Sequence, residues 1–173
     1  MTTPFAINGL GRVGRALLRA IRSDPERFAG LELVAVNDVV PAATLARLLA
    51  RDTLYGVFPG EPGTVAAEGD ALLLEGRRVP VLHHPEPGTV PWSSHGARIV
   101  VEASGSITRG SEARRHLGGT VERVVAAWNP EPETESDAGA GVDWTFCLGI
   151  NESEYDPSRH RVISNASCTT NCL

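Results

Sequence analysis

The sequence predicts an α/β fold: a doubly wound, mostly parallel sheet with a small antiparallel insertion. Two patterns carry this expectation. Short apolar runs alternate with stretches whose apolar residues recur at helical spacing along most of the 173 residues. Within residues 64–82 that rhythm gives way to short runs broken at Glu68-Gly69-Asp70 and Glu75-Gly76-Arg77, the chemistry of tight turns between antiparallel strands. The length suits one domain with its own core and is short for two of ordinary size, so residues 1–173 are expected to form a single domain.

Residues 5–7 form the first strand, and after a glycine-rich turn Val13, Ala16, Leu17, Ala20 and Ile21 mark one face of a helix. Residues 31–36 are a second, buried strand, ending where Asn37 and Asp38 put polar groups at the carboxyl edge. A helix over residues 43–51 is expected to turn Leu45, Leu48 and Leu49 to one face, and the stretch 56–63, with Pro59 and Pro62, interrupts it. After the antiparallel insertion, strands are expected at 97–103, 122–127, 144–148 and 161–164, with a helix at 110–117. The Pro-, Gly- and acid-rich run 129–141 reads as a solvated connection.

Composition narrows the function classes. With 42% hydrophobic and 21% charged residues the chain reads as a soluble globular protein, and no apolar run approaches the roughly 20 residues that span a bilayer. The net charge of −5, without a Lys/Arg stripe, disfavours nucleic acid. Three cysteines without finger spacing argue for free thiols rather than disulfides or structural zinc, and no metal is expected; adjacent His83 and His84 read as surface histidines. Met1-Thr2-Thr3-Pro4 lack a basic segment leading into an apolar one, so a cytoplasmic location is expected.

The turn after the first strand reads Asn8-Gly9-Leu10-Gly11-Arg12-Val13-Gly14-Arg15. A pyrophosphate needs close backbone approach, free N–H groups and a positive field, and a glycine turn opening onto a helix N-terminus supplies all three. Gly9 permits the turn, Gly11 admits the phosphates, and Gly14 lets the helix lie close on the strand. Asp38, at the end of the second strand, can accept from ribose hydroxyls and disfavours a 2′-phosphate. The cofactor expected is therefore NAD rather than NADP.

Near the other end stands Ser167-Cys168-Thr169-Thr170-Asn171-Cys172, the form of a strand end turning into a helix. Together with the glycine turn, Val36-Asn37-Asp38, Val100-Val101-Glu102-Ala103-Ser104-Gly105 and Leu148-Gly149-Ile150-Asn151, it resembles the glyceraldehyde-3-phosphate dehydrogenase family over nearly the whole chain. The resemblance implies a Rossmann-like NAD-binding domain ending just after the nucleophilic cysteine, with the catalytic C-terminal domain absent. It implies that Asn8, Arg12 and Val13 also line the dinucleotide, with Ser104 and Gly105 beneath its nicotinamide half. Cys168 would be the nucleophile that forms an acyl thioester, and Ser167 and Thr169 would help bind the incoming phosphate. Three residues depart from the family pattern: Pro85 stands where a cation borders the adenine, and Ala127 and Trp128 stand where the family has serine and a small residue.

Cys147, in an apolar strand, is expected to be buried and inert, and Cys172 is given no chemistry. Three functions follow. One is the nucleotide-binding half of a split enzyme that acts on a small phosphorylated aldehyde or acyl substrate and needs a second polypeptide. The others are a non-catalytic NAD-binding module or interaction protein, and an inactive fragment. An apolar strip along Val13, Leu17 and Ile21 or nearby helices is expected to stay bare, making an oligomer or a bound partner the expectation.

Overall fold

The computed structural model describes residues 2–60, 63–131 and 141–172. The first strand, β1 (Thr3–Asn8), leads through the glycine turn into α1 (Arg12–Ser23), and β2 (Leu31–Asn37) returns parallel to β1 with Ile7 beside Val36. Next come α2 (Ala42–Ala50) and a two-stranded ribbon of β3 (Arg51–Asp52) and β4 (Gly56–Val57), which the sequence had marked only as an interruption. The insertion is a meander of β5 (Val65–Ala67), β6 (Ala71–Leu74) and β7 (Arg77–Leu82). It does not stand apart. The start of β7 pairs antiparallel with β6 while its end, Val81 and Leu82, pairs parallel with β2, so the meander is an extension of the main sheet.

The chain then crosses back to β8 (Ile99–Glu102) on the other side of β1, and continues through β9 (Arg123–Ala126), β10 (Trp144–Thr145) and β11 (Val162–Ser164). The resulting sheet has nine strands in the order β10-β11-β9-β8-β1-β2-β7-β6-β5. Strand order reverses between β1 and β8, which opens a crevice at the carboxyl edge, the place where such sheets bind ligands.

Register builds the core. Ala35, Ala6, Val100, Val124 and Val162 stand side by side on β2, β1, β8, β9 and β11, each with no solvent exposure. This row packs under Trp92, Val121 and the short helix α3 (Gly110–Ala113). The opposite face presents Phe5, Ile7 and Val36 to Leu18 of α1 and to Leu45 and Leu49 of α2. Both faces are covered, as the near-continuous apolar strands require.

Four expectations need correction. Leu48 is 41% exposed, because α2 sits at the meander edge and buries only the Leu45–Leu49 line. The helix expected at 110–117 is α-helical only to Ala113 and tightens into a 3₁₀ turn at Arg114–His116, ahead of Gly118 and Gly119, whose positive φ angles end it. The strand expected at 144–148 stops at Thr145, where the Asn151 carboxamide captures the Cys147 N–H at 2.8 Å and bends the chain into a turn. Of the expected apolar strip only Val13 is bare, at 51% exposure; Leu17 and Ile21 pack against the core. Most of the run 129–141 lies outside the described residues, and no helix among the described residues is long and apolar enough to cross a membrane.

Candidate dinucleotide site

At the crevice the glycine turn is held by its neighbours on both sides. The Gly9 N–H donates to the Asn37 carbonyl at 2.8 Å, and the Leu10 N–H donates to the Asp38 carboxylate at 2.8 Å. Gly9 has φ +90°, and a Cβ built there would run into the Ser104 backbone, so β8's following loop can approach only a glycine. A Cβ on Gly14 would strike the Gly9 carbonyl, so this glycine sets how closely α1 lies on β1. Gly11 differs: a Cβ there would meet nothing within 4 Å, because it faces open space. That space is a cleft of about 310 Å³ bounded by Asn8, Gly9, Gly11, Asp38, Pro85 and Ser104.

The sequence-assigned residues thus fall into three groups. Asn8, Gly9, Gly11, Asp38 and Ser104 line the cleft, and Gly14 braces it from behind. Arg12 and Val13 are exposed at the start of α1, where the N–H groups of the first turn are free for an anion, and Gly105 follows Ser104 with φ +74°. Cys168, Ser167 and Thr169 do not line the cleft. They follow β11, so they share the carboxyl edge, with β8 and β9 lying between β11 and β1.

Asp38 accepts from Leu10 through one carboxylate oxygen and from Val40 at 2.9 Å through the other, which leaves lone pairs on both for ribose hydroxyls. Pro85 reaches the cleft wall and His84 lies beside it, its main chain closing a double hydrogen bond with the Asn37 carboxamide. His83 is exposed and uses Nδ1–H to donate to the Asp38 carbonyl at 2.7 Å. Among the described residues no group of three or more His, Cys, Asp or Glu could hold a metal ion.

Beneath the cleft runs a buried polar network that sequence reasoning missed. The fixed main-chain N–H and C=O of His84 set the Asn37 carboxamide, whose NH₂ then donates to Asn8 Oδ1 at 2.7 Å. Asn8 must therefore donate through Nδ2 to Glu102, at 2.5 Å. At the other end the Trp92 indole N–H, which can only donate, points at His116 Nδ1 at 3.0 Å. His116 is thereby the neutral tautomer protonated at Nε2, which donates to Glu102 at 2.9 Å. The Ser104 N–H and hydroxyl add two more donors at 2.9 and 2.6 Å. Glu102 and His116 side chains are both wholly buried. Burial alone would raise the Glu102 pKa, but the bonds from His116, Ser104 and Asn8 outweigh it and hold the carboxyl below its ordinary value. The sequence offered one signal, a lone acid closing the apolar run Ile99–Glu102; nothing marked His116 or Trp92 as its partners.

In the cysteine loop, the Ser167 hydroxyl accepts the Thr170 N–H at 3.0 Å and meets the Thr169 hydroxyl at 2.9 Å, capping a single turn, Thr170–Cys172. Cys168 and Cys172 are exposed. Cys147 is half-buried rather than buried, because its strand has already ended, and its thiol lies 3.4 Å from Asn171 Oδ1. Trp128 packs against the cluster around Val124 and Val162, and its carbonyl accepts the Ser164 hydroxyl at 2.6 Å.

A glycine turn opening onto a helix, an acid closing the second strand and a reversal of strand order between β1 and β8 define a dinucleotide-binding α/β domain. The match to a family model then gives its place: the profile for the glyceraldehyde 3-phosphate dehydrogenase NAD-binding domain covers residues 3–110, and the chain belongs to that family. Its cofactor is NAD, which the open space at Gly11 and the spare acceptors of Asp38 fit. The chain is 43% identical over 173 residues to glyceraldehyde-3-phosphate dehydrogenase 1 of Streptomyces arenae, covering 100% of this chain and 47% of that protein. It is 45% identical over 171 residues to the glyceraldehyde-3-phosphate dehydrogenase of Kitasatospora aureofaciens (99% of this chain, 47% of that protein). With glyceraldehyde-3-phosphate dehydrogenase 1 of Bacillus cereus it shares 39% identity over 171 residues (99% and 46%). The chain spans about half the length of these curated relatives.

Proposed function

We propose that residues 1–173 are the nucleotide-binding half of a glyceraldehyde-3-phosphate dehydrogenase-like oxidoreductase that carries the nucleophile, with the catalytic domain contributed by a second polypeptide. The observation that carries this reading is the shared edge: the dinucleotide cleft and the exposed Cys168 thiol both lie at the carboxyl ends of the parallel strands. Asn8, Gly9, Gly11, Arg12, Val13 and Asp38 hold the dinucleotide, with Gly14 setting the height of the helix; Ser104 forms the opposite wall, and Gly105 follows it in the same loop. NAD supplies the two-electron acceptor. Cys168 supplies the sulfur that bonds to the aldehyde carbon of a small phosphorylated substrate and retains the acyl group as a thioester. Ser167 and Thr169 offer hydroxyls to the phosphate that opens it.

The turn Thr170–Cys172 beside Cys168 carries no His, Asp or Glu, and in this reading the general base is contributed by the second polypeptide. A hollow of about 330 Å³ beside the C-terminal half of α1, lined by Leu18, Ile21, Phe28, Leu33 and Leu74, supports the packing of a further apolar segment, and with it an assembly of more than one chain. The proposed location is the cytoplasm, where Cys168 stays reduced.

The deciding experiment mixes the chain with the part of the Streptomyces arenae relative that follows its nucleophile motif, and measures NAD reduction with phosphorylated aldehydes and inorganic phosphate. Activity that requires both polypeptides and disappears in Cys168→Ser supports the proposal. A mixture that binds NAD yet reduces none with any such aldehyde refutes it and leaves the non-catalytic NAD-binding module, a reading that Pro85 in the cleft wall favours.

A further inference from the structure

Glu102 is an anion surrounded only by neutral donors. His116 cannot be its counter-cation, because the Trp92 N–H occupies Nδ1 as donor and leaves Nε2 to carry the imidazole's one proton. Asn8 and Ser104 provide neutral amide, backbone and hydroxyl donors. The side chain is fully buried, so bulk water and salt do not screen it at close range. Its charge is also aimed. Because the Ser104 hydroxyl spends its proton on Glu102, it accepts from Ser106, and the resulting line of dipoles runs from Glu102 through Ser104 to Ser106 on the cleft wall.

That wall belongs to one half of the cleft. Asp38, just past the end of β2, takes the adenosine ribose, and the N-terminus of α1 takes the pyrophosphate, so the nicotinamide end lies across β1 on the β8 side, where Ser104 and Ser106 stand. The two redox forms of the cofactor differ there by one unit of charge: the oxidised ring is a cation and the reduced ring is neutral. Arg12 and Asp38 act on the phosphate and adenosine parts, which the two forms share.

We propose that Glu102 is a specificity-determining residue for the redox state of the dinucleotide, its buried charge making the cleft prefer NAD⁺ over NADH. The proposal rests on the NAD-binding assignment of the cleft. His116 and Trp92 are positioning residues: they fix the proton arrangement that keeps Glu102 ionised without neutralising it. A unit charge acting over roughly 10 Å at an effective dielectric constant of about 20 changes the affinity ratio by on the order of tenfold.

The test is calorimetric titration of the 173-residue chain with NAD⁺ and with NADH. The wild type is expected to bind NAD⁺ on the order of tenfold more tightly than NADH, and Glu102→Gln to bring the two affinities together. His116→Gln, which keeps a neutral donor toward Glu102 and an acceptor toward Trp92, is expected to preserve the wild-type ratio even where both affinities fall. In Glu102→Gln the new amide faces the N–H groups of Asn8 and His116. Should that variant not fold, Glu102→Gln combined with Trp92→Phe lets His116 move its proton to Nδ1 and accept at Nε2, with Trp92→Phe alone as its reference. Equal wild-type affinities, or a ratio unchanged by loss of the carboxylate, overturn the proposal. A wild-type chain that binds neither form overturns the cofactor assignment and the proposal with it.

Discussion

The clearest separation of fold from binding is available at two glycines three residues apart. Gly11 has φ −69° and ψ −157°, which alanine adopts, and its Cβ would meet no atom within 4 Å. Replacing it by alanine restricts the unfolded chain, a gain of about 0.4–1 kcal/mol, and weakens the helix N-cap by a similar amount, so Gly11→Ala should leave stability within about 0.5 kcal/mol of wild type. The new methyl, however, stands in the cleft where the phosphates approach, and NAD affinity should fall at least about tenfold. Gly14→Ala reverses the pattern. Its Cβ collides with the Gly9 carbonyl and comes within 3.3 Å of Ile7 Cγ2, so α1 must lift off β1. A clash with main chain lies at the upper end of the overpacking range, about 2–3 kcal/mol, partly offset by roughly 1 kcal/mol of better helix propensity. For a domain of this size a net loss of 1–2 kcal/mol lowers the thermal midpoint by about 2–8 °C. Thermal unfolding followed by circular dichroism, together with NAD calorimetry, reads both effects. Wild-type NAD affinity in Gly11→Ala, or wild-type stability in Gly14→Ala, would show that the space at one glycine and the contact at the other have been misassigned.

Glu102 also carries a pH signature. Its carboxyl titrates below the ordinary value when folded, so the stability it contributes is present above the unfolded value, about pH 4.3, and is lost as pH falls through the folded one. Urea midpoints at pH 7 and pH 3 should therefore differ less in Glu102→Gln than in wild type, and an unchanged difference would contradict the network. Asp143 ties the last strand in place: its carboxylate accepts the Arg161 and Val162 N–H groups at 2.8 and 2.7 Å and pairs with Arg114. Asp143→Asn should cost about 1–3 kcal/mol and speed hydrogen exchange at Arg161 and Val162. Cys168 and Cys172 are exposed and Cys147 half-buried, so iodoacetamide followed by mass spectrometry should label Cys168 and Cys172 before Cys147. Cys168→Ser, which leaves the lining of the dinucleotide cleft unaltered, should bind NAD as tightly as the parent chain in the same calorimetric titration.

The glycine turn and Asp38 were legible because their chemistry is local. A strand, a turn that only glycine admits and a helix N-terminus follow one another directly, and each residue's role depends on its immediate neighbours. The same holds for Ser167 beside Cys168, where a hydroxyl caps the turn three residues on. Periodicity located the strands but misjudged Leu48 and the reach of the strand at Trp144, since which helix face meets the meander and where Asn151 folds back are settled by other parts of the chain.

What the sequence determined by itself, then, is the order of strand, turn and helix and the residues of the glycine turn and Asp38 that line the cleft, because these follow from backbone geometry over a few positions. Only the tertiary structure decided that β7 joins the meander to the main sheet and that Glu102, Asn8, His116 and Trp92 converge under the cleft. Those contacts link residues far apart in the chain, and a buried carboxylate keeps its charge only when donors from several strands and turns arrive at once. No periodicity or spacing in the sequence records that coincidence, which arises when parallel strands bring their carboxyl ends to one edge.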